Sequence, residues 1–86
     1  MDVRHDGVRR LFWVEADGCT AYVEYEIHDG GLDVLHTIVP DEIGGRGIAS
    51  VLVKAAYDYA AGHSLKPLAT CSYAVVWLQR HPEYQK

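Results

Sequence analysis

The sequence predicts one small α+β or α/β domain, built as a mixed, mostly antiparallel sheet with one main helix and a short C-terminal helix. Apolar and polar residues alternate with a period of two through the first half of the chain, and the period changes to that of an amphipathic helix after Ile48. With 86 residues, of which 49% are hydrophobic and 23% charged, the composition is that of an ordinary globular protein. That length predicts a single domain over residues 1–86.

Three strands are predicted in the first half, over Val8–Val14, Cys19–His28 and Leu32–Val39. Asp17-Gly18 and Asp29-Gly30-Gly31 separate them, and such pairs are typical of tight hairpin turns. The three strands therefore form an antiparallel meander. Its third strand is apolar on both faces, which favours a central position in the sheet.

The second half predicts a strand–helix–strand crossover followed by a short helix. Gly62 is expected to supply a left-handed C-terminal cap for the main helix, and Pro67–Thr70 to form a parallel strand. Tyr73–Arg80 fits a short helix with Ser72 as its N-cap, and His81-Pro82 is expected to end this helix. The main helix is read from apolar residues at helical spacing: Ile48, Val51, Leu52, Ala55, Ala56 and Tyr59.

Charge and cysteine content exclude several classes of function. Eight Lys and Arg against twelve Asp and Glu give a net charge of −4, which argues against nucleic acid as the main partner. No apolar stretch is long enough to span a membrane, and the N-terminus has no signal-peptide core. Cys19 and Cys71 are expected to be reduced thiols in a cytoplasmic protein. The five histidines show no ligand spacing, so no metal site is predicted.

The glycine-rich segment Val39–Ala49 leaves a predicted strand and opens the main helix. Glycines allow close backbone approach, and the unpaired N–H groups of a first helical turn, together with the helix dipole, attract anions such as phosphate or pyrophosphate. A loop whose glycines only permit a turn is an equally good interpretation of the spacing. The segment lacks the Gly-Lys-Ser/Thr of a nucleotide P-loop and the G-x-G-x-x-G of a dinucleotide fold.

This loop and helix resemble the acetyl-CoA site of the GNAT N-acetyltransferases, whose motif is Gln/Arg-x-x-Gly-x-Gly/Ala. The matching residues are Gly44 to Ala49, with glycine at the first position. Nearly the whole chain resembles the small single-domain group of that superfamily. The shared features, in order, are the strand Tyr22 to Tyr25, His36-Thr37 before Val39-Pro40, the glycine loop, Leu68 to Tyr73 with its cysteine, and the tail from His81 to Gln85.

The resemblance implies a CoA or acetyl-CoA site in which the pantetheine arm runs along the strand before the loop and the pyrophosphate lies on backbone N–H groups of the loop. Arg46 is expected to contact a CoA phosphate through its side chain. The implied cofactor-binding residues are Ile38, Val39, Gly44, Gly45, Arg46, Gly47, Ile48, Ala49 and Ser50.

Cys71 is the candidate catalytic residue, because a cysteine at this place in the small group lies near the thioester. A helix N-terminus also favours the thiolate form. Simple packing of the thiol is the competing interpretation. Glu24, Glu26 and His36 are weaker candidates for a general base, and Tyr73 for the group that protonates the departing thiolate.

We therefore expect an acetyl-CoA-dependent N-acetyltransferase that acts on an unidentified amine, by direct attack or through an acetyl-Cys71 intermediate. The alternative is a non-catalytic CoA-binding or interaction module. The expected partners are CoA and an amine acceptor, with neither nucleic acid nor membrane. An unpaired edge strand allows a monomer or a weak homodimer.

Overall fold

A computed structural model describes residues 1–85 of the chain. The strands are β1 (Arg4–Asp6), β2 (Leu11–Ala16), β3 (Cys19–His28), β4 (Gly31–Ile38) and β5 (Lys66–Ala69). The α-helices are α1 (Ile48–Gly62) and α2 (Ser72–Arg80), and short 3-10 turns span Asp41–Ile43 and Pro82–Gln85.

The strands form one five-stranded sheet in which the spatial order equals the chain order. β1 to β4 pair antiparallel, and β5 pairs parallel to β4 after the α1 crossover. This arrangement confirms the predicted mixed, mostly antiparallel sheet with one main helix and a short second helix. β4 is internal, between β3 and β5, as its apolar sequence predicted.

The two predicted hairpin turns are present. Asp17 and Gly18 have φ angles of 50° and 76°, and Asp29 and Gly30 have φ angles of 53° and 72°. Positive φ at both central residues defines the type I′ turn, whose twist matches that of the flanking strands. These turns fix the register of β2 with β3 and of β3 with β4.

The first predicted strand, Val8–Val14, is wrong at its start. Residues 7–10 form a turn in which the Asp6 carboxylate accepts the backbone N–H groups of Val8 and Arg9 at 3.1 Å each. Val8 is 94% exposed and does not share the buried face of the strand. β1 precedes this turn as an edge strand that was not predicted, because three polar residues carry no hydrophobic period.

One face of the sheet is buried and the other is not. The buried face packs on α1 through Phe12, Val14, Ala21, Val23, Tyr25, Leu32 and Val34. α2 joins the same side, because Trp77 packs against Tyr57 of α1 with ring centroids 5.8 Å apart. The opposite surface, here called the open face, carries the alternate residues of β2, β3 and β4: Leu11, Trp13, Tyr22, Glu24, His36 and Ile38.

The apolar stripe of α1 is rotated from the predicted one. Ile48, Leu52 and Ala56 are buried as expected, whereas Val51, Ala55 and Tyr59 are half-buried. Val53, Tyr57 and Ala60 complete the buried face. The Tyr57 hydroxyl donates to the Leu68 carbonyl at 2.6 Å and so ties α1 to β5.

Both predicted helix caps are displaced. Gly62 is the last residue of α1, and the left-handed conformation belongs to Ser64, with φ of 57°. The N-H of Leu65 bonds the Ala60 carbonyl at 2.8 Å and closes the end of α1. Ser72 is the first residue of α2 and Cys71 is its N-cap. The terminal residues cover the core, with Trp77 buried and Tyr84 edge-on to it.

Within the described residues, neither helix has the length and hydropathy needed to cross a membrane.

Candidate functional site

The glycine-rich loop turns sharply between the end of β4 and the start of α1. Its 3-10 turn is closed by the N–H of Ile43 bonding the Pro40 carbonyl at 3.1 Å, and the Ile43 side chain is fully buried. Gly45 and Gly47 both have φ of 76°, a left-handed backbone that L-residues with a side chain rarely adopt. The loop is therefore anchored in the core at Ile43, while its glycines expose the backbone.

The N-terminus of α1 has unpartnered N–H groups. Gly47 is its N-cap, which provides no side-chain oxygen, and the first turn contains no acidic residue. The first helical hydrogen bond runs from the N–H of Val51 to the Gly47 carbonyl at 3.2 Å. The N–H groups of Ile48, Ala49 and Ser50 therefore have no helical acceptor, and the helix dipole makes this end attractive to an anion.

Arg46 lies in this loop but already has a partner. Its Nη2 atom is 2.6 Å from Oδ2 of Asp17 in the β2–β3 turn, and both side chains are substantially exposed. An exposed pair of this kind contributes about 0–1 kcal/mol. A phosphate could therefore compete with Asp17 for the guanidinium at little cost.

β4 diverges from β5 immediately before the loop. β5 pairs with β4 only from Gly31 to Val34, and the N–H groups of Thr70 and Cys71 both bond the Val34 carbonyl at 3.0 Å. Leu35 has no partner in the β3–β4 register, so β4 contains a bulge at this point. The last residues of β4 therefore extend past β5, and no strand within residues 1–85 covers their backbone edge. Ile38 is 45% exposed there, and Val39 is half-buried.

Cys71 lies at this divergence, half-buried, with its Sγ atom 3.5 Å from Oγ1 of Thr37. Burial opposes ionisation of the thiol, but hydrogen bonds from the Thr37 hydroxyl and from the Ala74 and Tyr73 amides outweigh it. Together they hold the pKa of Cys71 below its usual value. The amides are those of the first turn of α2, so the helix N-terminus acts on the thiol as the sequence predicted.

A hydrogen bond links the first turn of α1 to the middle of α2. The Trp77 indole Nε1–H donates to Oγ of Ser50 at 3.0 Å. Because the indole can only donate, the Ser50 oxygen is the acceptor and its own proton remains available to another group. The helix whose N-cap is Cys71 is thereby fixed to the helix that carries the unpartnered N–H groups.

Among the described residues, none of the weaker candidates bonds the Cys71 thiol through its side chain. Glu24 and His36 face each other across β3 and β4 on the open face, and Glu26 is exposed on the same side. Tyr73 is 40% exposed in the first turn of α2. Cys19 is half-buried and packs against the core. Among the described residues, the side chain that bonds Cys71 is Thr37, and neither a carboxylate nor an imidazole does so.

A cavity of about 770 Å³ lies at the opposite end of α1. Its wall is formed by the C-terminal turns of α1, by β5 and by the tail, and it includes Ala61, Pro67 and Tyr84. This cavity is open, and neither the free N–H groups of α1 nor the Cys71 thiol lines it. Its volume alone therefore does not make it the candidate functional site.

Sequence reasoning identified the loop and Cys71 but missed two residues that act on them. Thr37 is 34 positions from Cys71 in sequence and meets it because parallel strands bring their C-terminal ends to the same edge. The position of Thr37 shortly before the glycine-rich loop was a sequence signal that could have identified it. Trp77 was placed only within the predicted short helix, and its bond to Ser50 has no local sequence signature.

Three comparisons with known proteins agree. The family described as GCN5-related N-acetyl-transferase matches residues 10–86. Protein NATD1 of Xenopus tropicalis is 41% identical over 83 residues, covering 93% of this chain and 76% of the relative. Protein NATD1 of Homo sapiens is likewise 41% identical over 83 residues, and 74% of its length is covered.

A solved structure shares the fold. The solution structure of a GCN5-like protein from Staphylococcus aureus superposes with a TM-score of 0.75 at 29% sequence identity. The match covers 96% of this chain and 82% of that one.

Proposed function

Since the chain belongs to the GCN5-related N-acetyltransferase family, we propose that it binds acetyl-CoA and transfers the acetyl group to an amine. One observation carries the proposal: the uncovered edge of β4 beyond Val34 leads directly into a loop whose helix has unpartnered N–H groups. An extended amide-bearing arm fits the first feature, and a pyrophosphate fits the second.

In this proposal the pantetheine arm pairs with the backbone of Ile38 and Val39. The pyrophosphate accepts hydrogen bonds from the backbone N–H groups of the loop and first turn, and the Ser50 hydroxyl adds a donor that Trp77 leaves free. Arg46 exchanges Asp17 for a phosphate oxygen. The cofactor-binding residues are Ile38, Val39, Gly44, Gly45, Arg46, Gly47, Ile48, Ala49 and Ser50.

Two routes of transfer are compatible with these residues. In the direct route the amine nitrogen attacks the thioester carbonyl, the carbon–sulfur bond breaks, CoA leaves as a thiolate, and the ammonium proton passes to a base or to water. In the second route the Cys71 thiolate attacks the thioester carbonyl and CoA leaves as a thiolate. The amine then attacks the acetyl-Cys71 carbonyl, Cys71 leaves as a thiolate, and the ammonium proton passes to a base or to water. Backbone N–H groups at the strand divergence are suited to stabilise the developing oxyanion in either route.

A second candidate is a CoA-binding module without transfer. It is favoured by the surroundings of Cys71, where among the described residues Thr37 bonds the sulfur and neither a carboxylate nor an imidazole does. Replacing Cys71 with Ala separates the two routes of transfer when turnover is measured beside CoA binding. Lost turnover with retained binding supports the acetyl-Cys71 route, and retained turnover supports direct attack. Turnover by the wild-type protein with any amine acceptor would exclude a CoA-binding module without transfer.

The proposal is tested first by isothermal titration of CoA and acetyl-CoA into the purified protein. We expect 1:1 binding, with affinity lowered at least about tenfold by Gly47→Val, because the added side chain intrudes on the backbone that receives the phosphates. Gly30→Val is the matched control: Gly30 has φ of 72° and carries the same backbone strain, but lies in the β3–β4 turn. No heat at millimolar ligand, with an unchanged Tm, would overturn the proposal.

A further inference from the structure

The open face of the sheet carries two rows of side chains in cross-strand register. The first row runs from β1 to β4 through Arg4, Trp13, Tyr22 and Ile38. The second row runs through Asp6, Leu11, Glu24 and His36. Both helices pack on the other side of the sheet, so the described residues leave these rows uncovered by any helix. Ile38, an apolar residue, is 45% exposed there.

This surface already holds one cation of the protein itself. The Arg4 guanidinium carbon lies 5.6 Å from the centre of the Trp13 ring, within the distance at which an aromatic face attracts a cation. Tyr22 is the next residue in the same row and is half-buried, so a second aromatic side chain continues the surface. The rings provide apolar area and cation attraction together.

Carboxylates dominate the charge of the open face. Glu15, Glu24 and Glu26 alternate with the buried residues of β2 and β3 and so lie on this side. Within residues 1–85 none of the three forms an ion pair, and Arg4 is paired with Asp2 at 3.5 Å. The face is therefore complementary to a partner that carries positive charge.

The shape of the open face fits a polypeptide better than a small molecule. The cavity on this side, lined by Asp2, Arg4, Trp13 and Glu15, measures about 210 Å³, which is below the volume typical of small-molecule sites. Each row crosses four strands and spans about 14 Å, the length of about four residues of extended chain. A flat surface of this size receives a segment of chain.

We propose that the open face is a docking surface for a basic polypeptide segment, whose Lys or Arg side chains lie over Tyr22 and between Glu24 and Glu26. The second row ends at His36, past Val34, which is the last residue of β4 paired with β5. A docked segment is thereby led to the edge of β4 at the strand divergence. As a statement about the acetyl acceptor, this inference rests on the proposed function, whereas the docking itself does not require CoA.

The test is a titration of the isotope-labelled full chain with a short peptide of alternating lysine and glycine, followed by amide and indole NMR signals. We expect shifts confined to the open face, including the Trp13 indole, that weaken with added salt. Glu24→Gln should lower the affinity at least about threefold. Glu83→Gln removes the same charge from the exposed tail and should leave the affinity unchanged. A glutamate–glycine peptide should not bind.

Peptide shifts that are absent, that lie elsewhere, or that do not depend on Glu24 would overturn the docking surface. Spermidine binding as tightly as the peptide would overturn the polypeptide assignment. CoA is titrated separately into the same protein without peptide. CoA binding without peptide binding rejects this inference alone, whereas peptide binding without CoA binding supports the surface and rejects the proposed function.

Discussion

The two α-helices begin in different ways. α1 starts at Gly47, a left-handed glycine that has no side chain to cap the helix. Among the described residues, the first N–H groups of α1 therefore have no acceptor. α2 starts at Cys71, and the Tyr73 and Ala74 amides of its first turn favour the thiolate and so lower the pKa of Cys71. The partial positive charge of a helix N-terminus therefore has no anionic partner among the described residues at α1, whereas at α2 it lies beside an ionisable thiol. One end is suited to bind an anion from outside, and the other favours the ionised form of a thiol within the protein.

The largest expected effect comes from placing a carboxylate at the α1 N-terminus. Ala49→Asp adds a negative charge beside the free N–H groups, so we expect the free energy of unfolding to rise by about 0.3–1 kcal/mol. CoA affinity should fall at least about tenfold, because the carboxylate occupies the phosphate position and repels it. Urea unfolding and isothermal titration measure the two quantities.

The matched control for Ala49→Asp is Ala61→Asp, at the exposed C-terminal end of the same helix. There the charge meets the negative end of the dipole, so stability should fall by a similar amount and CoA affinity should stay the same. Unchanged CoA affinity in Ala49→Asp would show that α1 does not receive the phosphates, and the contrast between the two helices would lose its functional meaning.

An intermediate effect is expected on the reactivity of Cys71. In a Cys19→Ser background, the pH midpoint for alkylation of Cys71 should lie below that of a free cysteine thiol, since hydrogen bonds outweigh burial and lower the pKa of Cys71. Thr37→Val removes the hydroxyl donor at nearly constant shape and should move the midpoint upward. A midpoint at or above that of free cysteine would contradict the role assigned to the α2 N-terminus.

The smallest effect concerns a polar network behind Cys71. Thr70 donates to the buried Asp33 carboxylate at 2.9 Å, and Nε2 of His28 lies 3.0 Å from the same carboxylate. The hydrogen bonds to Asp33 and then Asp29 raise the pKa of His28 above its usual 6.5. The native state therefore retains the His28 proton longer than the unfolded state, and stability falls as the pH rises from about 6.5 through the raised pKa.

Urea unfolding midpoints measured across this pH range, for the wild type and for His28→Gln, test the network. The urea unfolding midpoint of the wild type should fall as the pH rises through the raised pKa of His28. The midpoint of His28→Gln should not show this decrease. Parallel pH profiles for the two proteins would show that the charge of His28 contributes nothing to the stability of the fold.

The sequence predicted what depends on neighbouring residues and missed what depends on distant ones. β3 was predicted with its observed bounds, Cys19–His28, because strict alternation is flanked there by two Asp-Gly turns. The glycine loop followed from its own residues. The bulge at Leu35 and the bond between Trp77 and Ser50 were not predicted, since each arises only when separate elements meet. The partner of Arg46 was missed for the same reason.

The order of the strands has a consequence for how the protein folds. Since β1 to β4 are joined by short turns, their pairings involve nearby residues and close quickly. The β4–β5 pairing must wait until α1 has formed and folded back across the sheet, because a larger loop is more costly to close. We expect this pairing to be the last to form and the first to open, with faster amide hydrogen exchange at Leu68 than at Val23. The strand divergence at Cys71 would then lie next to the part of the sheet that opens most readily.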